Sequence, residues 1–119
     1  MLRPFLSAVF ALLGGGALAQ VEDGVLVVNG TEYAIVRLVT SPPGLGFWTD
    51  NLLPPPPLKA GEARKLKVAP FGGQCLQDVR VTFESGAQEA EWKRVRLCDV
   101  RKLGLFLDRD SGRAFVTYE

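Results

Sequence analysis

An all-β fold is predicted for this chain, and three observations carry the prediction. Apolar residues alternate with polar ones in short runs, and no stretch keeps a helical period for three turns. Turn signals rich in Gly, Pro, Asn and Asp recur about every 8 to 12 residues. The only two cysteines, Cys75 and Cys98, bracket a stretch that reads as a single hairpin.

The chain of 119 residues opens on an export signature rather than on a strand. Met1 to Ala19 has one positive charge at Arg3, an apolar core from Phe5 to Leu13, a glycine-softened region and Ala17-Leu18-Ala19 before Gln20. That order of features predicts a secretory signal peptide over residues 1–19, cleaved to leave a single domain over 20–119. The apolar stretch is too short for a membrane span, which needs roughly 18 residues, and it contains three glycines in a row. The expected destination is periplasmic or secreted, with no transmembrane segment after cleavage.

Cleavage would remove Arg3, leaving 13 basic against 13 acidic residues. A neutral domain argues against nucleic acid as a partner, because phosphate binding demands a clearly basic one. In an oxidising compartment an even cysteine count reads as a disulfide, Cys75 to Cys98. Closing a loop of that length is worth about 3 kcal/mol in the chain-entropy treatment.

Within the domain, Gly24 to Val28 is a β-branched run, followed by Asn29-Gly30 and then by Tyr33, Ile35 and Val36 running on to Val39. Asn-Gly between two such runs predicts a tight hairpin turn, since both central residues of that turn need positive φ. Asn29-Gly30-Thr31 also matches a glycosylation sequon, and the turn accounts for it without a glycan. Leu66 and Val68 alternate with Lys65 and Lys67 in a further strand.

In the cysteine hairpin, Val79, Val81 and Phe83 alternate with Arg80 and Thr82, Glu84-Ser85-Gly86 reverse the chain, and Trp92, Val95 and Leu97 return among Lys93, Arg94 and Arg96. Two registers are open. Antiparallel counting about Gly86 and Ala87 pairs Phe83 with Ala90 and sets Cys75 opposite Cys98, but places Val79 against Arg94. A bulge that moves Val95 and Leu97 onto the apolar face is the alternative. Leu103 to Leu107 and Ala114 to Tyr118 form a last pair around Asp108-Arg109-Asp110-Ser111-Gly112. That turn resembles the opening of a calcium loop but lacks the closing glutamate, so it reads as a hairpin turn. The total is six to seven strands, and the architecture expected is a small antiparallel, immunoglobulin-like β-sandwich with one disulfide.

Ser41 to Leu58 interrupts the strands with six prolines and two glycines. A loop of that length is uncommon in a compact domain unless it has a role. Its candidate partner-binding residues are Phe47, Trp48, Leu52, Leu53, Pro54, Pro55, Pro56 and Pro57. The four prolines are expected to form a short polyproline II rod for an aromatic groove on a partner. The reading favoured for the segment's packing is instead a stiff crossover from one sheet to the other, in which Phe47, Trp48 and the leucines fold back as a plug under the loop. Lys93, Arg94 and Arg96 are a weaker candidate site for an anion other than nucleic acid.

The chain has no histidine, which removes histidine-based triads and histidine-ligated zinc sites, and bridged cysteines offer no thiolate. No metal and no cofactor is called for, and the chain is read as no enzyme. The alternative readings are a small hydrolase using carboxylates among Asp78, Glu84, Glu89 and Glu91, or a purely structural envelope protein. The primary expectation is an exported binding or accessory module of the cell envelope, contacting a protein or glycan through loop 41–58.

Several of these residues together resemble a group of small exported proteobacterial proteins. They are Asn29-x-Thr31, Ser41-Pro42, Trp48, Asp50-x-Leu52-Leu53, Cys75-x-x-Asp78-x-Arg80-x-x-Phe83-x-x-Gly86 and Leu97-Cys98. The resemblance implies an exported, disulfide-bonded β domain of no assigned chemistry. Relative to that group, the proline tract is longer and the strand pair after Cys98 is an extension.

Overall fold

The structure, a computed structural model, describes residues 24–68, 74–85 and 89–119. The expected signal peptide and the expected reversal at Gly86 and Ala87 lie outside the described residues. Seven strands form two sheets: β1 (Val25–Gly30), β2 (Ile35–Ser41), β3 (Ala63–Leu66), β4 (Leu76–Phe83), β5 (Glu89–Arg96), β6 (Lys102–Leu107) and β7 (Ala114–Tyr118). One sheet runs β3-β1-β6-β7 and the other β2-β4-β5. The small β-sandwich expected from period-two patterning is therefore present, as is the Cys75–Cys98 disulfide, with Cα atoms 5.1 Å apart.

Four strands against three is also the division of the simplest immunoglobulin sandwich, though the strand order here is this chain's own. Every pairing is antiparallel except β1 with β6, which run parallel from Leu26↔Lys102 to Gly30↔Phe106. Val27, Leu103 and Leu105 from the first sheet and Leu38, Val79 and Val81 from the second share one core. Each such side chain, fully buried, contributes about 1.5–3 kcal/mol by removal from water. Trp92 of β5 closes one open side: its indole N–H donates to the carbonyls of Phe106 at 3.0 Å and Phe115 at 3.1 Å.

The Asn29-Gly30 turn does not form a hairpin, because β1 and β2 belong to different sheets. Asn29 is buried, and its side chain turns the chain from one sheet to the other. Its Nδ2 donates to the carbonyls of Tyr33 and Leu58, while Oδ1 accepts from the backbone N–H and hydroxyl of Thr31. With Nδ2 so held, the folded chain offers no glycosylation acceptor at this position. Gly30 serves another purpose than positive φ. It lies opposite Phe106 across the parallel pair, and a Cβ there would overlap the edge of the Phe106 ring. Phe106 also covers Gly104 and stacks on Phe115, with centroids 5.3 Å apart.

The cysteine hairpin takes the bulged register. Val79 pairs with Trp92 and Val81 with Ala90, and the ladder then shifts so that Gln77 pairs with Val95 and Leu76 with Arg96. Trp92 and Val95 are three residues apart, so both can face the core only if one extra residue is inserted between them. Arg94 supplies the distortion with φ 52°. The expected turn after β6 is present: the Asp108 carboxylate accepts from the backbone N–H of Asp110, and Gly112 has φ 73°.

Candidate functional site

Loop 41–58 divides into a packed half and an exposed tip. The packed half runs back along β2, which is the edge of its sheet and would otherwise present unpaired backbone groups. Thr49 and Leu52 donate their N–H groups to the carbonyls of Thr40 and Leu38, the Asn51 side chain accepts from Leu38, and Leu58 exchanges two backbone bonds with Ile35. This lacing carries Leu53, 1 % exposed, and Leu58 into the core, with Leu52 packed against them.

Leu53 is thus taken up by the core and the half-buried Leu52 packs against it, as the plug reading expects of the leucines. The proline tract is corrected in shape. In a polyproline II helix the carbonyls spiral outward at three residues per turn. Here those of Pro54, Pro56 and Pro57 converge on the guanidinium of Arg64 at 2.9, 2.6 and 3.2 Å. The Pro55–Pro56 peptide is cis. Pro54, Pro55 and Pro56 are exposed and Pro57 half-buried.

The tip, Pro42 to Trp48, folds over the outer face of the β2-β4-β5 sheet. Leu45 donates to the carbonyl of Pro42, the N–H of Phe47 donates to the Ser41 hydroxyl at 2.9 Å, and the N–H of Gly44 donates to Asp78 Oδ2 at 2.9 Å. Gly44 and Gly46 have φ of 75° and 67°, a region that strongly favours glycine and allows these reversals. Leu45 and Phe47 are left 58 % and 63 % exposed on this fixed backbone.

Trp48 is half-buried, and the Arg80 guanidinium lies 4.2 Å from its ring centroid, a cation–π contact. Arg80 also pairs with Glu91 at 3.2 Å and more distantly with Glu89 at 3.9 Å, and Lys93 meets the other oxygen of Glu91 at 2.8 Å. The hydrogen bond from Lys93, helped by Arg80 and opposed by partial burial, holds the Glu91 carboxyl below its ordinary range. The same bond raises Lys93.

The structure brings two of the sequence-predicted sites onto one face. Asp78 accepts from Gly44 of the tip and, through Oδ1, from the N–H of Arg94 in the β5 bulge. This one buried carboxylate thus ties the tip that carries Phe47 and Trp48 to the bulge that carries Lys93 and Arg94. Arg96 points elsewhere, onto the Tyr118 ring of the other sheet at 4.6 Å. Lys93 is neutralised by Glu91, whereas the Arg94 guanidinium has no ion pair among the described residues.

Asp78, read from sequence only as one of several carboxylates, is 2 % exposed with both oxygens committed to backbone N–H groups. The spacing of Trp92 and Val95 was the available signal for the bulge that recruits it. Nothing in the sequence pointed to the pairing of Arg80 with Trp48.

No cluster of histidine, cysteine or carboxylate side chains suited to a metal ion occurs among the described residues. No helix among them is long and apolar enough to cross a membrane. Comparison with protein-family models, with curated proteins and with solved structures found no match for the chain.

Proposed function

We propose that this chain is an exported, non-enzymatic binding or accessory module of the cell envelope. It contacts a protein or glycan through the tip of loop 41–58, with Leu45, Phe47 and the exposed part of Trp48 as the apolar contact and Arg94 at its margin. The observation that carries the reading is the exposure of Leu45 and Phe47 on a backbone already fixed by Ser41 and Asp78. A preordered loop loses little conformational freedom on binding, so more of its contact energy appears as affinity.

The magnitudes constrain the partner. Completing the burial of two half-exposed apolar side chains contributes about 1–2 kcal/mol each. Micromolar affinity requires about 8 kcal/mol. The tip alone is insufficient, and a partner must also cover the surrounding face with Trp48 and Arg94.

The test is quantitative affinity capture from the envelope fraction of the source organism, with the disulfide-bonded chain and its Leu45→Ser/Phe47→Ser variant as baits. Both side chains are exposed, so the variant is expected to fold as the parent does. A partner captured by the parent and lost by the variant supports the reading. Equal capture by both baits removes the tip from the function.

A further inference from the structure

At the Phe83 end of β4, away from Asp78 and the loop tip, lies an open cleft of about 800 Å³. Tyr33 and Phe83 line it as a tilted aromatic pair with centroids 5.4 Å apart, and Leu107 adds apolar surface. Its charged lining is one-sided. Glu32 comes from the β1–β2 connection, Glu89 and Glu91 from β5, and Asp108 from the turn after β6, against one cation, Arg109, among the described lining residues.

These carboxylates are not equally committed. Glu91 is held by Arg80 and Lys93, and Asp108 by backbone N–H groups of its own turn. Glu89 has only a 3.9 Å approach to Arg80 and a long 3.4 Å bond from the Thr82 hydroxyl. Glu32 is met by Arg109 Nε at 2.8 Å, between two exposed side chains. Such an exposed pair is worth about 0–1 kcal/mol and is readily exchanged for another cation. A guanidinium on an alkyl stem, supplied by the protein itself, already pairs with one of the cleft carboxylates.

From this combination of aromatic lining, surplus carboxylates and an internal guanidinium, we infer that the cleft binds an organic cation carried on an aliphatic stem. The ammonium or guanidinium head pairs with Glu89 and competes with Arg109 for Glu32. The stem lies on the exposed Tyr33 ring, which Phe83 backs from the core, and on Leu107; the Tyr33 face attracts the head and the apolar surface covers the methylenes. Free polyamines and the lysine or arginine side chains of peptides share this chemistry. The cleft adjoins the loop face through Arg80, which lies on Trp48 and pairs with the cleft residues Glu89 and Glu91, but the inference does not depend on the tip's role.

The experiment is a titration of the isotope-labelled, disulfide-bonded chain followed by backbone amide shifts. The probes are spermidine as a polyamine, acetyl-Arg-Arg-amide as a peptide cation, and 1,8-octanediol as an uncharged stem. Saturable shifts at Tyr33, Leu107 and Gly112 are expected with at least one cation and not with the diol, and the cation that gives them identifies the source. Glu89→Gln should weaken binding about fivefold, and Arg109→Ala should strengthen it about threefold by removing the internal competitor. Glu62→Gln, outside the cleft, should leave it unchanged. Amide spectra unchanged away from the cleft establish that each variant is folded. The inference is overturned if neither cation shifts the cleft amides, if the diol shifts them equally, or if Glu89→Gln and Arg109→Ala both bind as the parent does.

Discussion

Asp78 and Arg94 meet where β4 and β5 fall out of step: Oδ1 of the buried carboxylate accepts the Arg94 backbone N–H at 2.9 Å, and Arg94 has φ 52°. The other oxygen accepts the N–H of Gly44 at 2.9 Å. One side chain therefore fixes both the bulge that turns Val95 into the core and the reversal that presents Leu45 and Phe47.

Asp78→Asn tests that relationship with almost no change in volume. The amide keeps one acceptor and turns an N–H toward the other backbone donor, so one bond to a charged group is lost and a buried donor is left unpaired. A loss of about 2–3 kcal/mol is expected, measured by denaturant unfolding. Unchanged stability would show that the carboxylate does not hold the bulge and tip.

The ion pairs on the same face set an acid limb of stability. Glu91 is held below its ordinary value of about 4.5 chiefly by the hydrogen bond from Lys93, with Arg80 adding to it. A carboxyl lowered by folding stabilises above its unfolded value, and that contribution is lost as pH falls through the lowered folded value. Lys93, raised by the same bond, keeps its contribution up to about 10.5 and loses it at higher pH. Stability should therefore decline as pH drops below about 4.5, and Glu91→Gln should flatten part of that decline in urea midpoints taken from pH 7 to pH 3. A variant as acid-sensitive as the parent would assign the limb to other carboxylates, among them Asp108, which the backbone N–H groups of Asp110 and Ser111 also hold low.

Strand content and the disulfide were legible because each is local: alternation at Val79, Val81 and Phe83, and an even cysteine count. The hairpin register stays open between two alternatives in the sequence, although the three-residue step from Trp92 to Val95 carries the signal for the bulge. Sheet membership was not legible. Alternation reports which side chains share a face, and it says nothing of which sheet a strand joins, so β1 and β2 read as a hairpin although they lie in different sheets. The parallel pairing of β1 with β6 joins segments far apart in sequence, and no local signal encodes it. Loop 41–58 shows the same limit. Leu45 and Leu53 are the same residue type in one loop, and only the bonds of Thr49, Asn51 and Leu52 to the β2 edge decide that one is exposed and the other buried.

Thr40 carries a polar atom that the core does not use. The residue is buried, and its hydroxyl has no hydrogen-bond partner among the described residues, although its backbone N–H and carbonyl are both bonded to Thr49. Valine has nearly the same shape without the desolvated hydroxyl. Thr40→Val is expected to raise stability by about 1 kcal/mol in thermal or denaturant unfolding. A destabilised variant would show that the hydroxyl is satisfied by water in solution.

Gly30 and Phe106 form a coupled pair across the parallel strands. Gly30 does not have positive φ, so its constraint is space alone: a Cβ would overlap the Phe106 ring. Gly30→Ala should cost about 1–3 kcal/mol, the usual range for overpacking. In a Phe106→Ala background the ring is gone, and the same substitution should cost much less, since it then adds only a methyl group beside a vacated site. The double-mutant cycle by denaturant unfolding reads this directly, with an expected interaction of at least about 1 kcal/mol. An additive cycle would mean that Gly30 is required for another reason, and the parallel β1–β6 register would then need a different explanation.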